Sequence, residues 1–539
     1  MADATLLTIP VAYNAGGRTG GLNLDDEPLG FQGAFSPYMK NMVVESTRLR
    51  KRQGYSRLGT GAAMSGIGMA LVSYTDAQNT MHLIAFTTTS AYEYNSSTDA
   101  WDDISEAEDP WTGDSDNQFR TTVATDTTAF SQNGGSALLV VNNVDDVKYY
   151  EGKSSTTFLT LTHSFPSFSS CIDIVEFWNH LMFLGYTDTA TRCRTYAFAG
   201  LSNVDDWTSA TSGLATLTDT TGAIQRGVKL GSDLIIYSDR TISRCQYAGG
   251  VVIFVCPVLV QDVGLIASGA ICNAAKAHFF MSSDQHVYAI YQGGSLADVG
   301  RNIDGFLFSS LSMSVKEMAV AGYDIGRKKA MFAFPTTGES YPTKFLAMNL
   351  DLEGMPWELH QLAHDIRSIA TLTRTKSSAY VDDTEWSTVY CDETPAYCDD
   401  KYGDEGYDMC CFLTSDGYVY KLDEASGYDD TAEIDCEYQT EDIVLGDEEL
   451  FGRFLWFSFT AKSSIADTSC YVYCSTDAGE TWTALADSPV SLGSSWTTHR
   501  LPLDVISRKI RFRLVQQGHG DLQLRSFFRI EVIPSTSRD

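Results

Sequence analysis

The chain reads as an all-β protein. The expected architecture is a β-propeller of about seven blades, with six to eight allowed, an N-terminal arm and a C-terminal β-sandwich. Three observations predict this. Sustained helical spacing of apolar residues is scarce along the 539 residues. A strand–turn–strand unit recurs instead, its apolar strands starting roughly 43 to 55 residues apart except for one longer gap. Beyond residue 430 the texture shifts to longer strands that lack this period.

Residues 1–60 form the arm. Its opening, MADATLLTIPVAYNAGG, has no basic n-region and too short an apolar run for a secretion signal. Near its end stands a basic cluster of Arg48, Arg50, Lys51, Arg52 and Arg57. On a strand, Arg48, Arg50 and Arg52 share one face, with Leu49 and Lys51 on the other. In so acidic a chain this cluster is expected to be a docking face for an acidic neighbour; the plain alternative is a solvated strand.

Residues 61–430 carry the repeats. They include 82-HLIAFTTTSAYEYN-95, 137-ALLVVNNVDDVKYYEG-152, 180-HLMFLGYTDTATRCRTYAF-198, 233-DLIIYSDRTISRCQY-247, 278-HFFMSSDQHVYAIY-291, 329-KAMFAFPTTGESYPTKFLAMNL-350 and 410-CCFLTSDGYVYKLD-423. Each unit exposes an apolar face that only a neighbour can cover, so the blades must close into a ring. His82, His180 and His278 open three of these strands, a repeated packing position in separate blades rather than a metal site.

The long gap holds an acidic insertion at 381–409, with Asp382, Asp383, Glu385, Asp392, Glu393, Asp399, Asp400, Asp404, Glu405 and Asp408. Clustered carboxylates suit a hard cation, but the spacing fits no EF-hand. The segment is expected to be a solvated loop on the propeller rim, turned either to a channel or to the outer surface.

Residues 431–539 suit a sandwich, with strands in 451-FGRFLWFSFTA-461, 470-CYVYCST-476, 496-WTTHRLPL-503, 508-RKIRFRLVQQ-517 and 524-LRSFFRIEVIP-534. This module holds Ser475, Asp477, Gly479 and Trp482 in S-x-D-x-G-x-T-W form, the Asp box best known from sialidases. Its physics is that of a tight hairpin. Asp477 bonds backbone N–H groups, Gly479 supplies a positive φ and Trp482 folds over the turn. In sialidases the boxes recur in the blades themselves, whereas this one lies outside the inferred propeller.

Composition narrows the function. Against 69 acidic residues stand 38 basic ones, a net charge of −31 that repels phosphate backbones, although DNA could pass such a surface without sticking. The twelve cysteines include no C-x-x-C pair and read mostly as free thiols of a reducing cytosol. Val251–Val260, the longest apolar run, falls short of the ~20 residues of a spanning helix, and Pro257 interrupts it, so no membrane span is expected. No G-x-S-x-G, H-E-x-x-H or Walker motif occurs. Phe528-Arg529-Ile530 is followed by Glu531, not by the proline of the sialidase F/Y-R-I-P segment. Neither an enzyme nor a cofactor is expected.

The stretch 20-GGLNLDDEPLGFQGAFSPYMKNMVVESTRLRKRQGYSRLG-59 resembles the opening of the tail nozzle proteins of short-tailed phages, also called tail hub or packaged-DNA stabilisation proteins. The matching positions are Gly21, Leu22, Asn23, Pro28, Leu29, Ser36, Asn41, Met42, Val44, Leu49, Arg50, Lys51, Arg52, Gly54 and Tyr55. Similar pieces follow in order at 198-FAGLSNVDDWT-208, 233-DLIIYSDRTISRCQYAGG-250, 278-HFFMSSDQHVYAI-290 and 299-VGRNID-304. The resemblance implies a structural virion protein, a propeller-bearing subunit of a hexameric ring at the distal end of the tail. That ring would be assembled in the host cytoplasm beneath an adaptor ring, meet tail fibres or a needle or plug protein, and let double-stranded DNA through. Two alternatives stand beside it. One is a receptor- or glycan-binding tail fibre or spike, using loop aromatics around Trp101, Trp111, Trp386 and Trp496. The other is a sialidase-like propeller glycoside hydrolase.

Overall fold

The computed structural model describes residues 5–10, 20–28, 34–78, 80–106, 110–112, 114, 117–131, 133–152, 157–274, 276–373, 408–422, 427–445 and 450–535. Among these the only α-helix is Asp304–Ser310, joined by two short 3-10 helices at Asn133–Gly135 and Met313–Met318; the other described residues are in strands, turns and connecting segments. Among the described residues no helix is long and apolar enough to cross a membrane.

Antiparallel meanders follow one another along the chain. Gly68–Asp103, Arg120–Thr160, Ser170–Thr216, Ile224–Gln261 and Ile271–Asp298 are sheets of their own, while Val320–Gln361 and Ser368–Leu422 run on into larger sheets. Innermost strands of neighbouring meanders pack together, and Ser368–Thr373 packs on Gly68–Thr75, so the last blade meets the first. The result is a β-propeller within the expected range of six to eight blades.

One detail corrects the sequence reading. The apolar strands taken as the first of each unit, including those opened by His82, His180 and His278, are the second; a less apolar strand such as Ile224–Leu230 precedes each on the inside. Ser136–Val141, Asp233–Ser238, Ala277–Met281 and Lys329–Phe334 are buried at every position. A strand covered on both faces loses the polar alternation that would mark it as half-exposed.

Ring closure comes from the arm. Tyr55–Arg57 pairs antiparallel with Val419–Leu422, adding a strand from before the first blade to the outside of the last. Tyr55 is fully buried, edge-on to Phe412 and Tyr420 at 5.0 and 5.2 Å between ring centres, and its hydroxyl lies 2.8 Å from His364 Nδ1. Gly54 precedes it because the chain there runs against another backbone: a Cβ would lie 1.8 Å from the Tyr428 carbonyl oxygen.

The C-terminal strands form two facing sheets. One has the order Thr497–Ser507, Phe451–Lys462, Gln523–Ser535, Leu49–Lys51, Met42–Val44, with Thr5–Pro10 also paired to Gln523–Ser535. The other is Met39–Lys40, Cys436–Gln439, Lys509–Gln516, Ser469–Ser475, Thr483–Ala484. Phe457 and Phe512 stack across the gap at 4.0 Å. The arm is therefore not free. It supplies strands to both sheets, and Met39–Lys40 joins the second sheet to Trp357–Gln361, the outer strand of a blade.

Most described cysteines are free, as expected, but Cys245, in the strand Thr241–Tyr247, is joined as a disulfide to Cys256 in the link just before Val258–Gln261. The three repeated histidines are buried and bonded within the chain, each differently. His82 lies between Glu93 and Asp76 at 2.7 and 3.2 Å, while His180 Nδ1 donates to the Ala199 carbonyl at 2.7 Å. His278 accepts the Tyr237 hydroxyl on Nδ1 at 2.9 Å and donates from Nε2 to the Lys229 carbonyl at 3.0 Å. Burial, aided by the Arg226 charge, pushes His278 down to about 4, against support from that carbonyl. The unfolded chain binds its proton near ~6.5, so this site stabilises fully above that pH and progressively less as pH falls through about 4. Between pH ~7.5 and ~5, His278→Gln should lose roughly 2 kcal/mol less unfolding free energy than the natural sequence in paired denaturant titrations.

Candidate functional site

The basic strand lies where propeller and sandwich meet. Leu49–Lys51 is flanked by Met42–Val44 on one side and by Gln523 and Leu524 on the other. Lys51 points inward and is 3% exposed; its Nζ donates to Gln516 Oε1 and to the carbonyls of Gly518 and Gly520 at 2.7–2.8 Å. Burial pulls its pKa down. Arg52 forms a two-pronged pair with Asp429, both bonds 2.6 Å. It also donates to the Gln361 carbonyl and to Asn41 Oδ1, at 2.6 and 2.9 Å.

These contacts correct the docking expectation for Lys51 and Arg52. A strand covered from both sides turns its charges into internal fasteners. Arg48 and Arg50 stay partly exposed but share Glu45, and Arg57 lies over the Tyr418 ring, 3.6 Å from its centre. Behind the strand, buried Glu358 accepts the Val44 N–H at 2.8 Å, Lys329 Nζ at 2.6 Å and His360 Nε2 at 3.0 Å. Burial alone would raise its pKa, but Lys329 and His360 outweigh that and hold it below the usual range. Arg50, Arg52, Met331, Phe345 and His360 line a cavity at this seam.

The Asp box forms the expected hairpin. Tyr473 pairs with Ala484 and Cys474 with Thr483. Ser475 Oγ donates to Asp477 Oδ1 at 2.6 Å and accepts the Gly479 N–H at 2.8 Å; Asp477 also accepts the Thr481 N–H at 2.9 Å. Ser475 and the two Thr481 donors hold the Asp477 carboxyl well below the usual range. Gly479 has φ +93°, and half-buried Trp482 lies beside Arg513. These bonds are spent on the turn.

Of the acidic insertion, Asp408 begins the strand Asp408–Leu413 and pairs with Thr373. The insertion therefore falls, in sequence, between the innermost and second strands of the last blade. Asp382, Asp383, Glu385, Asp392, Glu393, Asp399, Asp400, Asp404 and Glu405 lie outside the described residues. Among the described residues, His286, Asp298 and Asp304 are the one trio whose ligand atoms gather within 4.8 Å and could hold a divalent cation. They come from two of the resemblance segments or, for Asp298, from beside one. Burial chiefly pushes Asp304 up to about 6.

Sequence reasoning missed an exposed apolar tip. Trp178 is 50% exposed at a hairpin turn, with φ +52°, a strained conformation for so bulky a residue. It stacks on Tyr247 at 5.3 Å. The hairpin beyond Tyr247 carries Val251, Val252 and Val255, all exposed. The signal was 249-GGVVIFV-255, where two glycines lead into a run without alternation. The expected sugar-stacking loops fare otherwise. Trp111 is buried, the Trp101 Nε1 donates to the Leu58 carbonyl, Lys462 and Arg525 cover Trp496, and Trp386 lies outside the described residues.

No family model and no curated protein matches the chain. Among solved structures it is similar to BBS1N, solved in complex with ARL6DN: 9% identity over 70% of this chain and 99% of that one, TM-score 0.38. It is also similar to the WD40 β-propeller domain of Doa1, at 9% identity, 68% and 96% coverage and TM-score 0.35. PorZ of the type-IX secretion system of Porphyromonas gingivalis gives 9%, 74% and 44% coverage, and TM-score 0.34.

Arg52→Ala should destabilise the protein by about 3–5 kcal/mol, because Asp429 would be left buried without its counter-ion. Arg48→Ala, at a site one-third exposed, should change stability by less than ~1 kcal/mol. Chemical denaturation of the two variants checks the contrast; equal, small effects would mean the buried pair does not fasten the seam.

Proposed function

We propose that this chain is a structural subunit of a phage tail nozzle, a ring that retains and releases the viral DNA. The N-terminal resemblance carries the reading. Within it, Asn41 bonds to the Asp435 carbonyl and Arg52 to Asp429 and the Gln361 carbonyl, while Gly54 leads into the closing strand that Tyr55 opens. Such residues suit a subunit whose domains must keep a fixed relation while force or DNA passes.

The chain's charge agrees with this role, since 69 acidic against 38 basic residues offer a passing duplex few phosphate contacts. So does the apolar tip, because monomeric proteins rarely expose contiguous apolar patches. On the proposed reading Trp178, Tyr247 and Val251 meet a neighbouring copy. The glycan-binding alternative draws on the same place, since an exposed Trp178–Tyr247 stack also suits a sugar face.

Native mass measurement separates the two. The nozzle reading expects a particle of six 59.2 kDa chains, and Val251→Asp combined with Trp178→Ala should reduce it to protomers with the fold retained. A monomer or trimer at every concentration, with the same variant abolishing glycan binding, would contradict the nozzle and favour the alternative.

A further inference from the structure

Two charged side chains from separate blades converge on Ser268. Arg120 opens the innermost strand Arg120–Thr125, and Arg226 lies in the innermost strand Ile224–Leu230. Ser268 sits in the link that leads into Ile271–Ala274. Arg120 is 8% exposed; its Nη2 donates to Ser268 Oγ at 2.6 Å and its Nη1 to the Phe119 carbonyl at 2.9 Å. Arg226, half-buried, donates from Nη1 to the Ser268 carbonyl at 3.1 Å.

A guanidinium carries five N–H donors. Arg120 uses two groups and Arg226 one, and among the described residues neither has an ion-pair partner. The nearest acids are otherwise engaged. Asp173 accepts the Ile174 and Gly227 N–H groups at 2.9 and 2.7 Å, and Glu317 lies 3.7 Å from Lys316. Burial first, and repulsion from Arg226 second, push Arg120 down to about 9, which leaves it cationic at neutral pH. Asp173 attracts both guanidinium groups without bonding to either, so two cations share one carboxylate's field and keep unused N–H donors.

We propose that Arg120, Arg226 and the Ser268 hydroxyl form a binding site for a small oxyanion. Two guanidinium forks match the paired oxygens of a phosphate, sulfate or carboxylate, and the Ser268 hydroxyl has its own hydrogen to give. A bound anion adds its charge to that of Asp173, whose field already acts on both guanidinium groups but whose hydrogen bonds go to backbone N–H groups. The site is independent of the nozzle reading.

Thermal unfolding of the whole chain tests this, with phosphate or succinate titrated against chloride at constant ionic strength. The natural sequence should show a saturable rise in Tm. Saturation by phosphate identifies a free inorganic anion as the fit, and saturation by succinate alone identifies a carboxylate, as an acidic side chain would present. Arg226→Gln should weaken anion binding about tenfold or more. Arg226→Lys keeps the charge but loses the fork, and should also bind more weakly with the fold intact. The same anion response in both variants as in the natural sequence, or no saturable response to either anion in the natural sequence, would overturn the site.

Discussion

The pairing of Tyr55–Arg57 with Val419–Leu422 is the constraint on which the rest of the molecule rests. A blade cannot bury both faces alone, so a propeller holds together only when its last blade is completed against its first. Here the completing strand comes from the arm, so the ring is locked by residues more than 350 positions apart in the chain. The entropic cost of joining distant segments grows only slowly with their separation. Three backbone pairs and one buried tyrosine therefore suffice as a clasp, provided the neighbouring backbone can come close. That proviso explains Gly54, whose missing side chain leaves room for Tyr428.

The same arm welds the propeller to the sandwich. Met39–Lys40 bridges two sheets, and Lys51, Arg52 and Glu358 place buried charges on the seam, each bonded to partners from other elements. Buried charges of this kind add little net stability over apolar packing, but they penalise any other arrangement heavily. A seam built this way fixes orientation.

Much of this was legible in the sequence. Strand repeats gave the ring, the change beyond residue 430 gave the second module, and the turn chemistry of Ser475, Asp477 and Gly479 gave the hairpin. The order of strands within a blade was not legible. The strand with the strongest apolar signal, such as Asp233–Ser238, is the one buried on both faces, while the innermost strand before it is too mixed to stand out. The basic cluster misled for a related reason. A charged strand looks solvent-facing until Gln523–Ser535, from the far end of the chain, is known to close its open edge opposite Met42–Val44. Trp111 was taken for a loop aromatic, although it packs among Phe86, Phe119 and Phe158. Pairings over such distances have no local signature. The Arg120–Arg226 convergence escaped notice for the same reason, since 106 positions separate residues that Ser268 brings together.

Hydrogen exchange on a chain shortened to begin at Leu58 tests the closure most directly. The account predicts that the amides of Val419–Leu422 lose protection, that the loss spreads through Asp408–Leu413 to the first blade, and that the Tm falls relative to the full chain. Unchanged protection across Asp408–Leu422 together with the full chain's Tm would contradict it, and would mean that the blades hold their ring without the arm.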